Sequence, residues 1–596
     1  MDPHALLAQS RLFAGIASTA LDALARCTTI CGFRSGESVF AIGSPADCIY
    51  VVATGRLRVE NADGSLRGEV GMLECVGEVA ILGGNARSAQ VYAVRDSYLL
   101  RIGRDDLLAF LQDHPDVLLR LTQMIISRLQ ARPTPSALAA ANRPRCITLL
   151  PVTPTIDLHA IAERMRDTLA ECGDVRIVDG PSVDRSLGRG ASQMAPGLAS
   201  EGKLVQHLHS AERVHRHLIY LADRVPSSWT DRCLRQCDRV MVVVDARTPP
   251  TLTPMLDELR SLNLRVPVEL VLLCPADASA ENVLLWRELC GARTHYLLRP
   301  DVPRDAESLA RSISGRALGL VLGGGGARGF AHIGLLRALH ELRLPLDVLG
   351  GTSMGAFISA LTACGYDWRQ VLEITRDTFV EHRLLNDYLL PRVALIRGRK
   401  FYRHLQKLFG ERRIEQLRTP FYCVSTNLTR GQPVVHDRGP LALWVATSMA
   451  IPGVAPPVVW RGDLLVDGAI VNSLPTDIMQ SLERGPIIAS DVSTEGALAM
   501  PGVEGPDPDA VLRWAPLRPH EGRRPSLISI LFRTATLTSE SGVAARAARA
   551  DAYLRLPVSG IAMFDWDKLD DVAQRGYEFA MQELPKLEGR LRACPI

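Results

Sequence analysis

The chain has no continuous apolar segment with which to cross a bilayer. Its longest uncharged stretch, Gly439–Trp460, is broken by Pro452, Pro456 and Pro457, whereas a spanning helix needs about 20 unbroken apolar residues. The N-terminus, MDPHALLAQSRLF, lacks the basic start and apolar core of an export signal. Thirteen cysteines occur among 596 residues, but none lies in a CxxC pair. The odd count and the missing signal point to a reducing, cytoplasmic compartment. Cys27 with Cys31, and Cys233 with Cys237, have helical spacing that suits packing, so no metal site is expected. An excess of either charge is also lacking. A formal net charge of +3 gives bulk electrostatics no reason to favour nucleic acid or to draw the chain strongly to a membrane. No helix-turn-helix pattern appears, which speaks against a transcription regulator. The rest of the composition, 47% hydrophobic and 22% charged, is that of a globular enzyme with room for several domains.

The most informative residues are two glycine-bearing turns. In ALGLVLGGGGARGFAHIGLL an apolar run of strand length meets Gly323-Gly324-Gly325-Gly326-Ala327-Arg328-Gly329 and then a helical pattern. Unpaired N–H groups should therefore converge at one helix N-terminus and receive negative charge. In VLGGTSMGAFISALTACG the same order surrounds Gly351-Thr352-Ser353-Met354-Gly355, a GxSxG elbow that exposes a serine hydroxyl. Gly324, Gly326 and Gly329 also satisfy GxGxxG, the dinucleotide fingerprint. That reading is disfavoured because Asp347 begins the next apolar run instead of ending it, and the run leads into the elbow. A P-loop is excluded by the missing Gly-Lys-Ser/Thr. Further on, GDLLVDGAIVNSLP sets Asp467 between an apolar run and Gly468-Ala469, a turn that can present a carboxylate at a strand end. His332 and His436 are the nearest histidines to be weighed as bases. The first reads as a structural histidine inside a helix, the second as a surface-loop residue in GQPVVHDRG.

These three elements together resemble the patatin-like phospholipases, closely over about residues 316–490. The resemblance implies a serine esterase with a Ser-Asp dyad, Ser353 as nucleophile and Asp467 as its base. It implies an oxyanion hole of Gly324, Gly325 and Gly326, with Arg328 organising the loop or meeting an anionic head group. Phospholipids or lysophospholipids are the implied substrates, and catalysis requires no cofactor or metal. Ala469 stands where the family more often has glycine, a mild departure.

Residues 12–110 alternate short apolar runs with glycine turns, the pattern of a small antiparallel barrel. The segment Gly77-Glu78-Val79-Ala80-Ile81-Leu82-Gly83-Gly84-Asn85-Ala86-Arg87-Ser88-Ala89 resembles the phosphate cassette of cyclic nucleotide-binding domains. Glu78 would accept from a ribose hydroxyl and Arg87 would meet a cyclic phosphate, with Gly77 and Ser88 supplying an amide and a hydroxyl. Ala86 and Gln90 depart from the family's usual proline and threonine. The alternatives are a cyclic nucleotide (cAMP or cGMP) regulator site and an inert scaffold barrel. Residues 146–312 alternate strands such as RVMVVVD with helices and show no phosphate loop. They resemble the Rossmann-like region between such barrels and patatin domains in bacterial relatives of neuropathy target esterase.

The expected architecture is multidomain. A cyclic nucleotide-type β-barrel (1–132), a linker (133–145), a Rossmann-like α/β domain (146–312) and an α/β patatin-like hydrolase domain (313–596) follow one another. Within the last, a mobile surface loop is expected at about 496–526 and a closing segment at 527–596. Between Arg392 and Arg413 eight basic side chains and one acidic one interleave with Phe401, Tyr402, Leu405, Leu408 and Phe409. This reads either as a core-facing helix or as a peripheral contact with the inner face of a membrane. The function expected is hydrolysis of acyl esters of phospholipids or lysophospholipids. The alternative is a nucleotide sensor or scaffold with a weak or inactive hydrolase domain.

Overall fold

The computed structural model describes residues 2–130, 144–195, 201–493 and 541–592, apart from positions 11, 154, 263, 276–277, 383 and 391, and a few residues between 530 and 539. The expected linker up to residue 143 and the expected surface loop at 496–526 lie outside the described residues. Two compact units divide the chain at Ala310/Arg311.

The first unit begins with eight short strands: β1 (Thr28–Phe33), β2 (Ser38–Phe40), β3 (Cys48–Thr54), β4 (Leu57–Glu60), β5 (Leu66–Val70), β6 (Cys75–Val76), β7 (Gln90–Ala93) and β8 (Ser97–Gly103). They pair antiparallel as two four-stranded sheets, β1-β8-β3-β6 and β2-β7-β4-β5. Alternation along the strands puts Ile49, Val51 and Ala53 into one apolar cluster and Tyr50 and Val52 into another. A helix, Glu78–Gly83, interrupts the barrel after Gly77, whose φ of 94° suits glycine.

Six parallel strands follow: β9 (Cys146–Pro151), β10 (Val175–Val178), β11 (His217–Leu221), β12 (Arg239–Asp245), β13 (Val268–Leu273) and β14 (Thr294–Leu298). Their order is β10-β11-β9-β12-β13-β14. The near-continuous apolar runs of β9 and β12 are buried on both faces, as a helix-covered parallel sheet demands. The turn between β7 and β8 enters this domain. Asp96 accepts from Arg232 Nη1 at 2.9 Å and Arg235 Nε at 3.1 Å, and Arg95 pairs with Glu212 at 2.8 Å. Arg95, Asp96, Arg232 and Arg235 are all buried.

The second unit holds β15 (Gly319–Leu322), β16 (Val348–Thr352), β17 (Phe421–Asn427), β18 (Gln432–His436), β19 (Val458–Trp460), β20 (Asp463–Asp467), β21 (Ile487–Asp491) and β22 (Ala552–Arg555). One edge of β17 is shared. Parallel β16 pairs with Phe421–Val424 and antiparallel β20 with Ser425–Asn427, while β18 lies along the other edge. The C-terminal ends of β16 and β20 therefore meet head to head beside Val424 and Ser425. The helix Ala331–Glu341 packs on the final helix, Leu569–Arg592, through paired glycines. A Cβ on Gly334 would fall 2.0 Å from the Ala573 carbonyl oxygen, and one on Gly576 would fall 2.1 Å from that of Ala331.

Candidate active site

The meeting of β16 and β20 brings together side chains 114 positions apart. Ser353 Oγ donates to Asp467 Oδ2 at 2.7 Å. Ser353 follows β16 directly and has φ 55° and ψ −123°, a strained conformation for a non-glycine residue. The flanking glycines permit it. A Cβ on Gly351 would lie 2.6 Å from the Gly355 backbone, and one on Gly355 only 2.1 Å from the Leu322 carbonyl oxygen. The strained peptide is clamped from outside, since Ser353 N donates to Ser448 Oγ at 3.0 Å and that hydroxyl donates to the Val424 carbonyl at 2.7 Å.

Asp467 is fully buried. Its Oδ1 accepts from Ala469 N at 2.8 Å, so the turn after β20 fixes the carboxylate while leaving Oδ2 to the serine. Ala469 serves here through its backbone, which explains why a methyl in place of hydrogen is tolerated. Desolvation drives the Asp467 carboxyl up to about 7, against the lowering effect of the Ser353 and Ala469 hydrogen bonds. A group of that proton affinity is a competent base near neutrality, which an exposed aspartate is not.

The glycine turn lies over this pair. A Cβ on Gly324 would come within 3.3 Å of Ser353 Cβ. Gly323 N and Gly324 N donate to the carbonyls of Ser490 and Ser473 at 2.9 and 3.0 Å, and Ala327 N donates to that of Met563 at 2.8 Å. Of the three glycines expected to hold an oxyanion, Gly324 thus has its N–H engaged within the protein. Gly325 and Gly326 head the short helix Gly326–Phe330, where no intrahelical acceptor exists for their N–H groups. Gly326 has φ 59°, and a Cβ there would strike the Met563 carbonyl at 2.4 Å. Arg328 folds back, its Nε donating to the Gly325 carbonyl at 3.1 Å, and so braces the turn.

His332 is buried behind the turn. Its Nε2 donates to the Gly323 carbonyl and its Nδ1 bonds Ser490 Oγ, both at 2.9 Å. Burial lowers its pKa to about 4, so it stays neutral and holds the loop. His436 corrects the surface-loop expectation. It sits in β18, buried, stacked 4.1 Å from the Trp444 ring, with Nε2 2.7 Å from Ser425 Oγ. The apolar run VVH had the strand signal, but GQP and DRG on either side masked it. Nothing in the sequence marks Ser448, Ser490 or Met563 as parts of the site, because they join it only through tertiary contact.

In the N-terminal barrel Gly77, Glu78, Arg87 and Ser88 surround the Glu78–Gly83 helix. Arg87 points inward. It donates from Nη1 to the Gly77 carbonyl at 2.9 Å and from Nη2 to the Cys48 carbonyl at 2.6 Å, and it lies 4.2 Å from the Phe40 ring centroid. Glu78 is buried, and Ser88 Oγ accepts from Arg67 at 3.5 Å.

A strained serine on a strand-to-helix elbow, with a buried carboxylate at hydrogen-bond distance under a glycine turn, defines the second unit as an α/β domain of the nucleophile-elbow class. Comparison with known families specifies it. Residues 320–479 match the model of the patatin-like phospholipases, residues 144–286 that of the neuropathy target esterase family P-loop like domain, and residues 31–114 that of the cyclic nucleotide-binding domain. The chain thus carries a patatin-like phospholipase domain behind a cyclic nucleotide-binding domain. It is similar to patatin-like phospholipase domain-containing protein 7 of Rattus norvegicus, 29% identical over 91% of this chain and 44% of the relative. It is also similar to lysophospholipase nte1 of Aspergillus fumigatus, 28% identical over 93% and 42%. The chain therefore spans less than half the length of these curated relatives. Among solved structures, the regulatory domain of Toxoplasma gondii PKA with cAMP is 27% identical over 19% of this chain and 44% of that chain, with a TM-score of 0.18. The turn after β9, Val152 to Asp157, contains neither the glycine nor the lysine of the phosphate-binding P-loop pattern.

Proposed function

We propose that the chain is a serine esterase that hydrolyses acyl esters of phospholipids or lysophospholipids through Ser353 and Asp467. The observation that carries this reading is the 2.7 Å hydrogen bond from Ser353 Oγ to a wholly buried Asp467. Asp467 takes the hydroxyl proton as Oγ attacks the ester carbonyl, and the N–H groups of Gly325 and Gly326 receive the developing oxyanion. Collapse expels the lipid alkoxide, which takes the proton from Asp467. Water then attacks the acyl-serine with Asp467 again as base, releasing the fatty acid and restoring the dyad. The test is hydrolysis of a lysophospholipid panel and of a short-chain chromogenic ester by wild type and Ser353→Ala. Turnover confined to the wild type supports the reading, and turnover unchanged in the variant overturns it.

The N-terminal domain is a regulatory module in this reading, with cAMP or cGMP as the ligand class and Gly77, Glu78, Arg87 and Ser88 as its site. Binding requires Arg87 to exchange its two carbonyl partners for a phosphate. That engagement of Arg87 favours the second reading, an interaction scaffold, for the barrel alone. Saturable calorimetric binding of either nucleotide, lost in Arg87→Ala, decides between them. The whole protein acts at a membrane surface, since its substrates reside there. Among the described residues no helix is long and apolar enough to cross one.

A further inference from the structure

The segment Arg392–Arg413 splits into two parts of different character. In the helix Arg399–Phe409 the apolar stripe Phe401, Leu405 and Phe409 is buried, so that helix is core. The exposed apolar residues precede it. In the described part of the hydrolase unit the four most exposed large apolar side chains are Leu390, Tyr388, Val393 and Val459, at 76, 74, 70 and 67%. Scattered exposed apolar residues are normal, but these are concentrated on two neighbouring projections.

The first projection is a hairpin-like excursion. Leu389 N donates to the Leu395 carbonyl at 2.8 Å, and Tyr388 bridges Ile396. Asp387 fixes its base by accepting from the N–H groups of Gly398, Arg399 and Lys400 at the start of the core helix. Ala394 and Ile396 are buried, and Leu395 and Ile396 donate to the carbonyls of Gly453 and Val454, both at 2.9 Å. The second projection, the β19–β20 hairpin, follows that 453–457 segment directly and ends at Asp467. There Val459 lies opposite Leu464, both exposed, and Trp460 is 41% exposed with Arg461 over its ring.

Charge accompanies the apolar residues. Arg392 stands between Leu390 and Val393, and Arg392, Arg397, Arg399 and Arg403 are all exposed. The acidic groups are committed inward. Asp387 caps the helix, and Asp463 is held by Arg430 and Asn427, each at 2.8 Å. Rigidly based apolar tips ringed by exposed cations suit an anionic bilayer, where the tips enter the acyl boundary and the guanidinium groups meet lipid phosphates.

We propose that residues 387–390 and 392–397 and the β19–β20 hairpin, whose second strand carries Asp467, together dock the hydrolase unit on an anionic membrane surface. This rests on the lipid-esterase reading above. The test uses the full chain, vesicles of phosphatidylcholine and phosphatidylglycerol in equal parts, vesicles of phosphatidylcholine alone, and a soluble short-chain ester. Wild type is expected to sediment with the mixed vesicles, more weakly at high salt, and far less with phosphatidylcholine alone. Leu390→Glu with Val393→Glu should lower that partitioning at least about tenfold, and Arg392→Gln with Arg399→Gln by roughly fivefold for each side chain. All variants should hydrolyse the soluble ester at the wild-type rate. Wild type that ignores mixed vesicles, or variants that partition like it, overturn the proposal. So does a lipid-free dimer dissolved by Leu390→Glu, which assigns the surface to a second copy of the chain. Vesicle binding as expected with no ester turnover defeats the esterase reading and leaves the docking surface standing.

Discussion

Ser353 and Asp467 make opposite demands on solvent. In the proposed mechanism the serine must reach substrate, whereas the aspartate can serve as a base only where water is kept from it. Activity should therefore rise with pH through about 7 as Asp467 loses its proton, and kcat/KM measured across that range checks it. Ser353→Ala and Asp467→Asn should each cut turnover at least about a thousandfold. Stability runs the other way. The folded-state value near 7 exceeds the ordinary 3.8, so between them the native state holds more protons than the unfolded chain and Asp467 costs stability as pH rises. Asp467→Asn should raise the thermal midpoint at pH above 7, by up to roughly 4 kcal/mol in unfolding free energy. His332 and His436, lowered to about 4 from 6.5, have the opposite sign, and their contribution fades as pH falls from 6.5 towards 4. Calorimetry of both proteins at acidic and alkaline pH should show the gain from the asparagine shrinking on acidification.

At the scale of elements, the elbow is held by what packs around it. Ser448→Ala leaves the Ser353 N–H and the Val424 carbonyl without the hydroxyl that joins them, at about 1–3 kcal/mol for each buried group. Turnover should fall about ten- to a hundredfold with substrate affinity little changed, which a split of kcat from KM would show. Gly576→Ala drives a methyl into the Ala331 backbone, and a denaturant midpoint should register a loss of about 3 kcal/mol or more. The elbow and the glycine turn were legible in the sequence because both are local. Each needs small residues within a few positions of one another, and the strand and helix on either side announce themselves by period. His436 was not legible, because the polar GQP and DRG around it read as a loop, and its burial comes from the Trp444 ring and Ser425 of β17 folding against it.

For the molecule as a whole, the first unit is held across its two domains by charges out of water. Asp96→Ala removes the carboxylate shared by Arg232 and Arg235 and so breaks a buried ion pair of each guanidinium, at about 3–5 kcal/mol. Urea unfolding followed by barrel and middle-domain probes should then separate into two transitions where the wild type shows one. Three domains in order could be read from changes in periodicity along the chain. A salt-bridged turn between two of them could not, since Val94-Arg95-Asp96-Ser97 reads as an ordinary hydrophilic turn until Glu212, Arg232 and Arg235 are folded against it.

The sequence by itself determined the chemistry on offer: a serine in a glycine elbow, an aspartate at a strand end, a glycine turn able to supply amides, and a barrel with a phosphate-type cassette. These are short patterns, set by steric limits on a few consecutive residues. Tertiary structure alone decided which groups are free to act. It joined β16 to β20 along one edge of β17, so that Ser353 met Asp467, and it buried that carboxylate until its proton affinity suited a base. It engaged the Gly324 amide and turned Arg87 inward, because hydrogen-bond partners and solvent exclusion belong to the packed fold and not to any stretch of chain.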